Sequence, residues 1–212
     1  MNVWSKDMAD WMILFIHVPL GGIALIAGAA ALMVKKGSYA HIRMGRVFYF
    51  SMLGSAASSA VIAVLPGHES PFLLSVGLFS SYFLLSGRRS LSYREEHPVK
   101  KADKVLSSAI LVVGLLMIFF PIYLNGSLNI VLVVFGLTAC IFGWRDLHLF
   151  RNPDELRPKW LKLHLGKMTG GYISAVSAFF VVNDILPGLW NWFAPGIVGG
   201  LYISYEIRKL SA

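Results

Sequence analysis

The stretch VLSSAILVVGLLMIFFPIYL, Val105–Leu124, decides the fold class. Its 20 residues carry no charged side chain. At 1.5 Å rise per residue a helix of that length covers about 30 Å, the thickness of a bilayer's hydrocarbon core. A soluble core does not require an apolar run this long. Working outward, six further apolar segments follow the same pattern: Trp11–Val34, Val47–Leu65, Pro71–Ser86, Leu128–Trp144, Met168–Asn183 and Leu189–Tyr205. Pro71–Ser86 and the last three lie near the short end of the roughly 17–25 residues that a crossing needs and must borrow polar flanks. Hydrophobic residues make up 56% of the chain and charged ones 14%, well under the roughly one quarter usual in soluble domains. The expectation is one all-α integral membrane domain over residues 1–212, with seven transmembrane helices.

The first segment is expected to be retained and not cleaved. Ala29-Ala30-Ala31 looks like a small-residue cleavage site, but the positive charge, Lys35 and Lys36, follows the apolar run. A signal peptide has the opposite polarity.

Lysines and arginines set the orientation. The loop after the first segment holds Lys35, Lys36, Arg43 and Arg46; the loop after the third holds Arg88, Arg89, Arg94, Lys100, Lys101 and Lys104. The loop after the fifth holds Arg145, Arg151, Arg157, Lys159, Lys162 and Lys167, and the tail adds Arg208 and Lys209. Only Lys6 of the 19 basic residues falls on the other side. The N-terminus is therefore expected outside and the C-terminus in the cytoplasm. The net charge of +8 is then a positive-inside signature and not a nucleic-acid stripe. The expected partners are the lipid bilayer and anionic lipid headgroups on the cytoplasmic side. Trp4, Trp11, Trp144, Trp160, Trp190 and Trp192 fall mostly at segment ends, as an aromatic belt requires. The single cysteine, Cys140, sits in an apolar run and reads as packing.

A displacement of 121 residues brings Gly45-Arg46 onto Gly166-Lys167 and Leu65-Pro66-Gly67 onto Leu186-Pro187-Gly188 without a gap. Ala57 falls on Ala178, Val61 on Val182, Phe72 on Phe193 and Arg88 on Lys209. With the fourth helix as linker this is a parallel 3+1+3 arrangement, a repeat type that transporters use. The bland reading is two helices sharing a basic start and a Leu-Pro-Gly stop.

Ionisable groups inside spans are costly and therefore informative. His17 heads a small-residue stripe, Gly21, Ala24, Gly28 and Ala31, which turns it inward, and Pro19 bends the helix beside it. On the sixth segment, Asp184 shares a face with Gly166, Gly170 and Ser177. With His68 and Glu69 in the outer loop, His17 and Asp184 suggest an outer metal site or proton relay. A buried histidine bonded to a carbonyl or serine, and loop residues that meet water, are the alternatives. At the cytoplasmic end stand His41, His148 and His164. His41 and His164 precede the matched Gly-Arg and Gly-Lys pairs, so Arg46 and Lys167 are expected to help hold an anion beside two histidine ligands.

No enzyme signature emerges: no His-Glu-x-x-His, no cysteine pair, no phosphate-binding glycine loop, no nucleophile elbow. The stretch His41-Ile42-Arg43-Met44-Gly45-Arg46-Val47-Phe48 resembles the His-x-x-x-Gly-Arg-x-Tyr/Phe signature of bacterial predicted membrane proteins catalogued as domain of unknown function 2306. His164-Leu165-Gly166-Lys167-Met168 with Gly170-Gly171-Tyr172 is similar to segments of the same family. Ile42 stands where that family usually has arginine, and Phe48 where it usually has tyrosine. The resemblance covers roughly 30 residues and implies a multi-pass protein of the bacterial inner membrane, without an established activity. The residues themselves point to cofactor or metal binding through His41 and His164 for electron transfer, with haem or a transition metal as ligand. Small-solute transport is the rival reading, and a metal-dependent lipid hydrolase a third.

Overall fold

A computed structural model describes residues 7, 10–95 and 99–210. Lys6, which entered the orientation argument, and Trp4, named with the aromatic belt, lie outside the described residues. Among the described residues, the chain is all-helical, with seven long helices and no strand. Helix α1 (Val18–Met33) continues a π-helical turn, Ile13–His17, and is followed by α2 (Tyr39–Ile62), α3 (Pro71–Arg89), α4 (Lys101–Asn125), α5 (Ile130–Leu149), α6 (Trp160–Val182) and α7 (Trp190–Lys209). Short turns at Pro153–Leu156 and Arg157–Lys159 lead into α6.

Among the described residues, four helices are long and apolar enough to cross a membrane: Asp10–Met33, Lys101–Leu124, Ile130–Leu149 and Pro153–Val182. Helices α2, α3 and α7 owe their lower apolarity to serines and terminal charges. Ser51, Ser55 and Ser58 of α2 and Ser80, Ser86 and Ser90 at or near α3 are buried against neighbouring helices. They satisfy their hydroxyls mostly by donating back to their own helix, as Ser86 does to Tyr82 O at 2.6 Å.

The helices begin and end where local chemistry dictates. Ser38 caps α2 by accepting from His41 N at 3.2 Å, and Ser70 caps α3 by accepting from Leu73 N at 3.2 Å. Asn129 accepts from both Val131 N and Leu132 N to start α5. Asp103, in the first turn of α4, accepts from Lys100 N at 2.7 Å. Helices α2 and α6 start well before the apolar segments that first marked them, at Tyr39 and Trp160. His41 and His164 thus lie inside helices and not ahead of them. A membrane-crossing pattern sees only apolar residues, whereas backbone hydrogen bonding continues through the polar first turns.

Helix α3 is shared between two cores. On one flank, Ala24 and Ala27 of α1, Phe48 and Met52 of α2, Leu84 of α3 and Ala175 of α6 form a single cluster. On the other, Phe79, Tyr82 and Phe83 of α3 meet Ile110 of α4 and Ala139 of α5. Helices α4 and α5 touch almost backbone to backbone: a Cβ on Gly136 would stand 2.6 Å from Gly114 O. A third cluster, Tyr93, Leu149, Phe150 and Leu156, seals the end that carries most of the basic residues. Helix α7 packs on α6 and reaches the end of α1 through Tyr202 OH, 3.5 Å from Leu32 O.

Candidate functional site

Two polar clusters flank the α3/α6 pair at the basic end of the bundle. The first lies between α3, α4, α5 and α6. Lys167 and Asp146, 1% and 2% exposed, form a buried ion pair. The same Asp146 oxygen accepts from Tyr82 OH at 2.7 Å and Ser107 Oγ at 3.2 Å. Next to it, Arg89 makes a two-pronged pair with Asp103, Nε to Oδ1 and Nη2 to Oδ2, each at 2.7 Å. Tyr93 OH donates to Asp103 Oδ1 at 3.4 Å. Burial, with the Asp103 and Asp146 carboxylates nearby, pushes the Tyr93 phenol above its ordinary value and keeps it a donor.

The sequence made this cluster hard to see. Asp146 lies two residues past the apolar run ending at Trp144, where apolar run length gives no sign of it. The legible signal is spacing: Ala139, Gly143 and Asp146 follow one another on one buried face of α5. Lys167 was expected to offer its charge to a ligand. It is instead enclosed and matched by Asp146, so it is no part of an anion site and no part of a surface charge stripe.

The second cluster belongs to α1, α2, α3 and α6. His41 Nδ1 lies 2.9 Å from Ala31 O at the end of α1, and His164 Nδ1 lies 2.8 Å from Gly87 O near the end of α3. A carbonyl only accepts, so both Nδ1 atoms carry the proton and both Nε2 atoms are left with a bare lone pair in the neutral rings. Phe48 and Tyr172 pack edge to face at 6.0 Å between α2 and α6. His41 stands two turns before Phe48 and His164 just over two turns before Tyr172, which puts the two imidazoles at a similar level along the bundle. His164 accordingly lies within electrostatic reach of His41 and of Arg88. Arg46, on the same helix as His41, is exposed.

Gly87 joins the two clusters. Its carbonyl orients His164, and a Cβ there would stand 3.0 Å from Met168 Sδ and 3.1 Å from Lys167 Cβ. A side chain at this position would push α3 away from α6.

The outer grouping expected of His17, His68 and Asp184 does not assemble as a metal site. Among the described residues no three His, Cys, Asp or Glu side chains come together to hold an ion. His17 Nδ1 instead lies 3.0 Å from Ser55 O, with Ser55 Oγ at 3.2 Å and Ser58 Oγ at 3.4 Å. Asp184 lies beyond the end of α6 in a left-handed conformation (φ 46°), where its Oδ1 accepts from Asn191 Nδ2 at 2.9 Å. Asn191 also binds both backbone groups of Leu186, so this trio builds the turn into α7. His68 is half-buried and its N–H closes a turn on Leu65 O, while Glu69 Oε2 accepts from Gly67 N at 2.9 Å. His148 is exposed and stacks on Trp144. Cys140 packs between α5 and α4, its Sγ 3.7 Å from Leu111 O.

Comparison with protein-family models, with curated proteins and with solved structures gave no match.

Proposed function

We propose that this protein is a seven-helix membrane protein, N-terminus outside and C-terminus cytoplasmic, that binds haem between α2 and α6 for electron transfer. The observation that carries the reading is the His41/His164 pair. Each ring donates Nδ1–H to a backbone carbonyl, the arrangement that orients a metal-ligating imidazole and raises its basicity. Two imidazoles are too few for a bare metal ion, which draws three or four protein ligands. They would suffice to hold a macrocycle that brings its own four nitrogens to the metal. Such a group supplies one-electron chemistry when bound. The resemblance to bacterial multi-pass proteins favours the inner membrane as the location.

The test is visible absorption and iron analysis of the protein purified from its host membrane. A Soret band that disappears in both His41→Ala and His164→Ala supports the reading. A colourless, iron-free wild type overturns it and moves the weight to the second reading, small-solute transport on a parallel 3+1+3 repeat. One observation favours that alternative: the two matched Leu-Pro-Gly turns both hold their glycine in the left-handed region, Gly67 at φ 84° and Gly188 at φ 56°. The topology has its own check. A reporter fused after Ala212 should be active in the cytoplasm, and a tag ahead of Trp4 should react from outside. Both termini on one side would remove a crossing.

A further inference from the structure

Arg88 and Arg89 are adjacent at the end of α3, and the structure treats them in opposite ways. Arg89 turns to α4 and is held by both oxygens of Asp103. Arg88 turns to α2, where its guanidinium lies over the Tyr49 ring at 5.2 Å. Among the described residues it forms no ion pair. Tyr49 follows Phe48, the residue that meets Tyr172 above the two histidines. Gly87, whose carbonyl receives His164 Nδ1–H, immediately precedes Arg88. The backbone that orients the histidine therefore also carries a cation within electrostatic reach of the same ring. Stacking on an aromatic face restrains the long arginine side chain while leaving its N–H edge free for a planar anion.

We infer that the ligand of the histidine pair carries a carboxylate, and that Arg88, neither Arg46 nor Lys167, receives it. The inference rests on the histidine reading and adds the chemical class of the ligand's periphery. Lys167 is spent on Asp146, and Arg46 has neither an aromatic rest nor a described link to the histidines. Arg88 has both.

The experiment uses the full-length chain in detergent, stripped of any bound chromophore, titrated with ferric protoporphyrin IX and, separately, with its dimethyl ester. The His41→Ala/His164→Ala double variant supplies the background for non-specific uptake. The wild type should bind the free acid about tenfold more tightly than the ester, the value of one charge-assisted contact. Arg88→Ala should lose that preference, its affinity for the acid falling to that for the ester, with the Soret position unmoved because the two histidines are untouched. Arg46→Ala should keep the preference in full. Equal binding of acid and ester by the wild type would overturn the inference without needing any variant. So would Arg88→Ala retaining the wild-type preference. If neither probe gives a band that depends on the two histidines, the histidine reading itself fails and this inference falls with it.

Discussion

The two flanks of the α3/α6 pair both hold polar side chains but leave them in different states. On the α4/α5 flank, Lys167, Asp146, Tyr82 and Ser107 answer one another, and Arg89 answers Asp103. On the α1/α2 flank, among the described residues, His41 and His164 are each fixed by one nitrogen only, and Arg88 rests on an aromatic ring without a carboxylate. A closed network in a low-dielectric interior specifies how helices dock, because every donor and acceptor must meet its partner. A fixed but incompletely used set is what a binding site requires. We propose that the charged flank is the clamp that aligns α3 and α6, and that the histidine flank is the site it aligns.

The sharpest way to break this comparison is at the clamp. Lys167→Met leaves Asp146 enclosed without its counter-charge and should cost about 3–5 kcal/mol of stability, read as a large drop in thermal unfolding temperature in detergent. The double variant Lys167→Met/Asp146→Asn should be more stable than the single, since no net charge is then buried. A single variant that unfolds like the wild type would mean the pair does not align these helices.

Gly87→Ala comes next. The added methyl would press on Met168 and Lys167 and cost about 1–3 kcal/mol. If Gly87 links the two flanks, the same change should also weaken ligand retention at His164, through the displaced carbonyl. A loss of stability with retention unaltered would uncouple clamp from site.

Arg89→Lys keeps the charge but gives up the two-pronged geometry. Because solvent reaches Arg89, the expected loss is about 1 kcal/mol or less. Arg46→Ala, at an exposed position, should stay within about 0.5 kcal/mol of the wild type and leave ligand binding unchanged. A measurable loss of binding there would return the anion contact to the residue the sequence first suggested.

The helical, membrane-type composition was legible because it rests on apolar run length, which needs no partner. His41 and His164 were singled out for their position before Gly45-Arg46 and Gly166-Lys167. The structure then separates the two cations that looked equivalent: Arg46 is exposed, Lys167 enclosed. Nothing local distinguishes them, since the difference lies in Asp146 arriving from α5. Arg88 and Arg89 are equally alike in sequence and are told apart only by Tyr49 on α2 and Asp103 on α4. His17 and Asp184 share a small-residue context but find different uses, one against Ser55 and the other in the turn before α7. Periodicity predicts which face turns inward; it does not predict what waits there.

The most direct measurement of the central claim is the reduced-minus-oxidised absorption spectrum of the wild type beside His17→Ala, His41→Ala, His164→Ala and the His41→Ala/His164→Ala double variant. The account predicts a low-spin spectrum in the wild type and in His17→Ala. It predicts loss of that spectrum in either His41→Ala or His164→Ala, with the double variant no worse than the singles because the two rings act as one ligand set. A wild-type spectrum that survives His41→Ala or His164→Ala, or that disappears with His17→Ala instead, would contradict it.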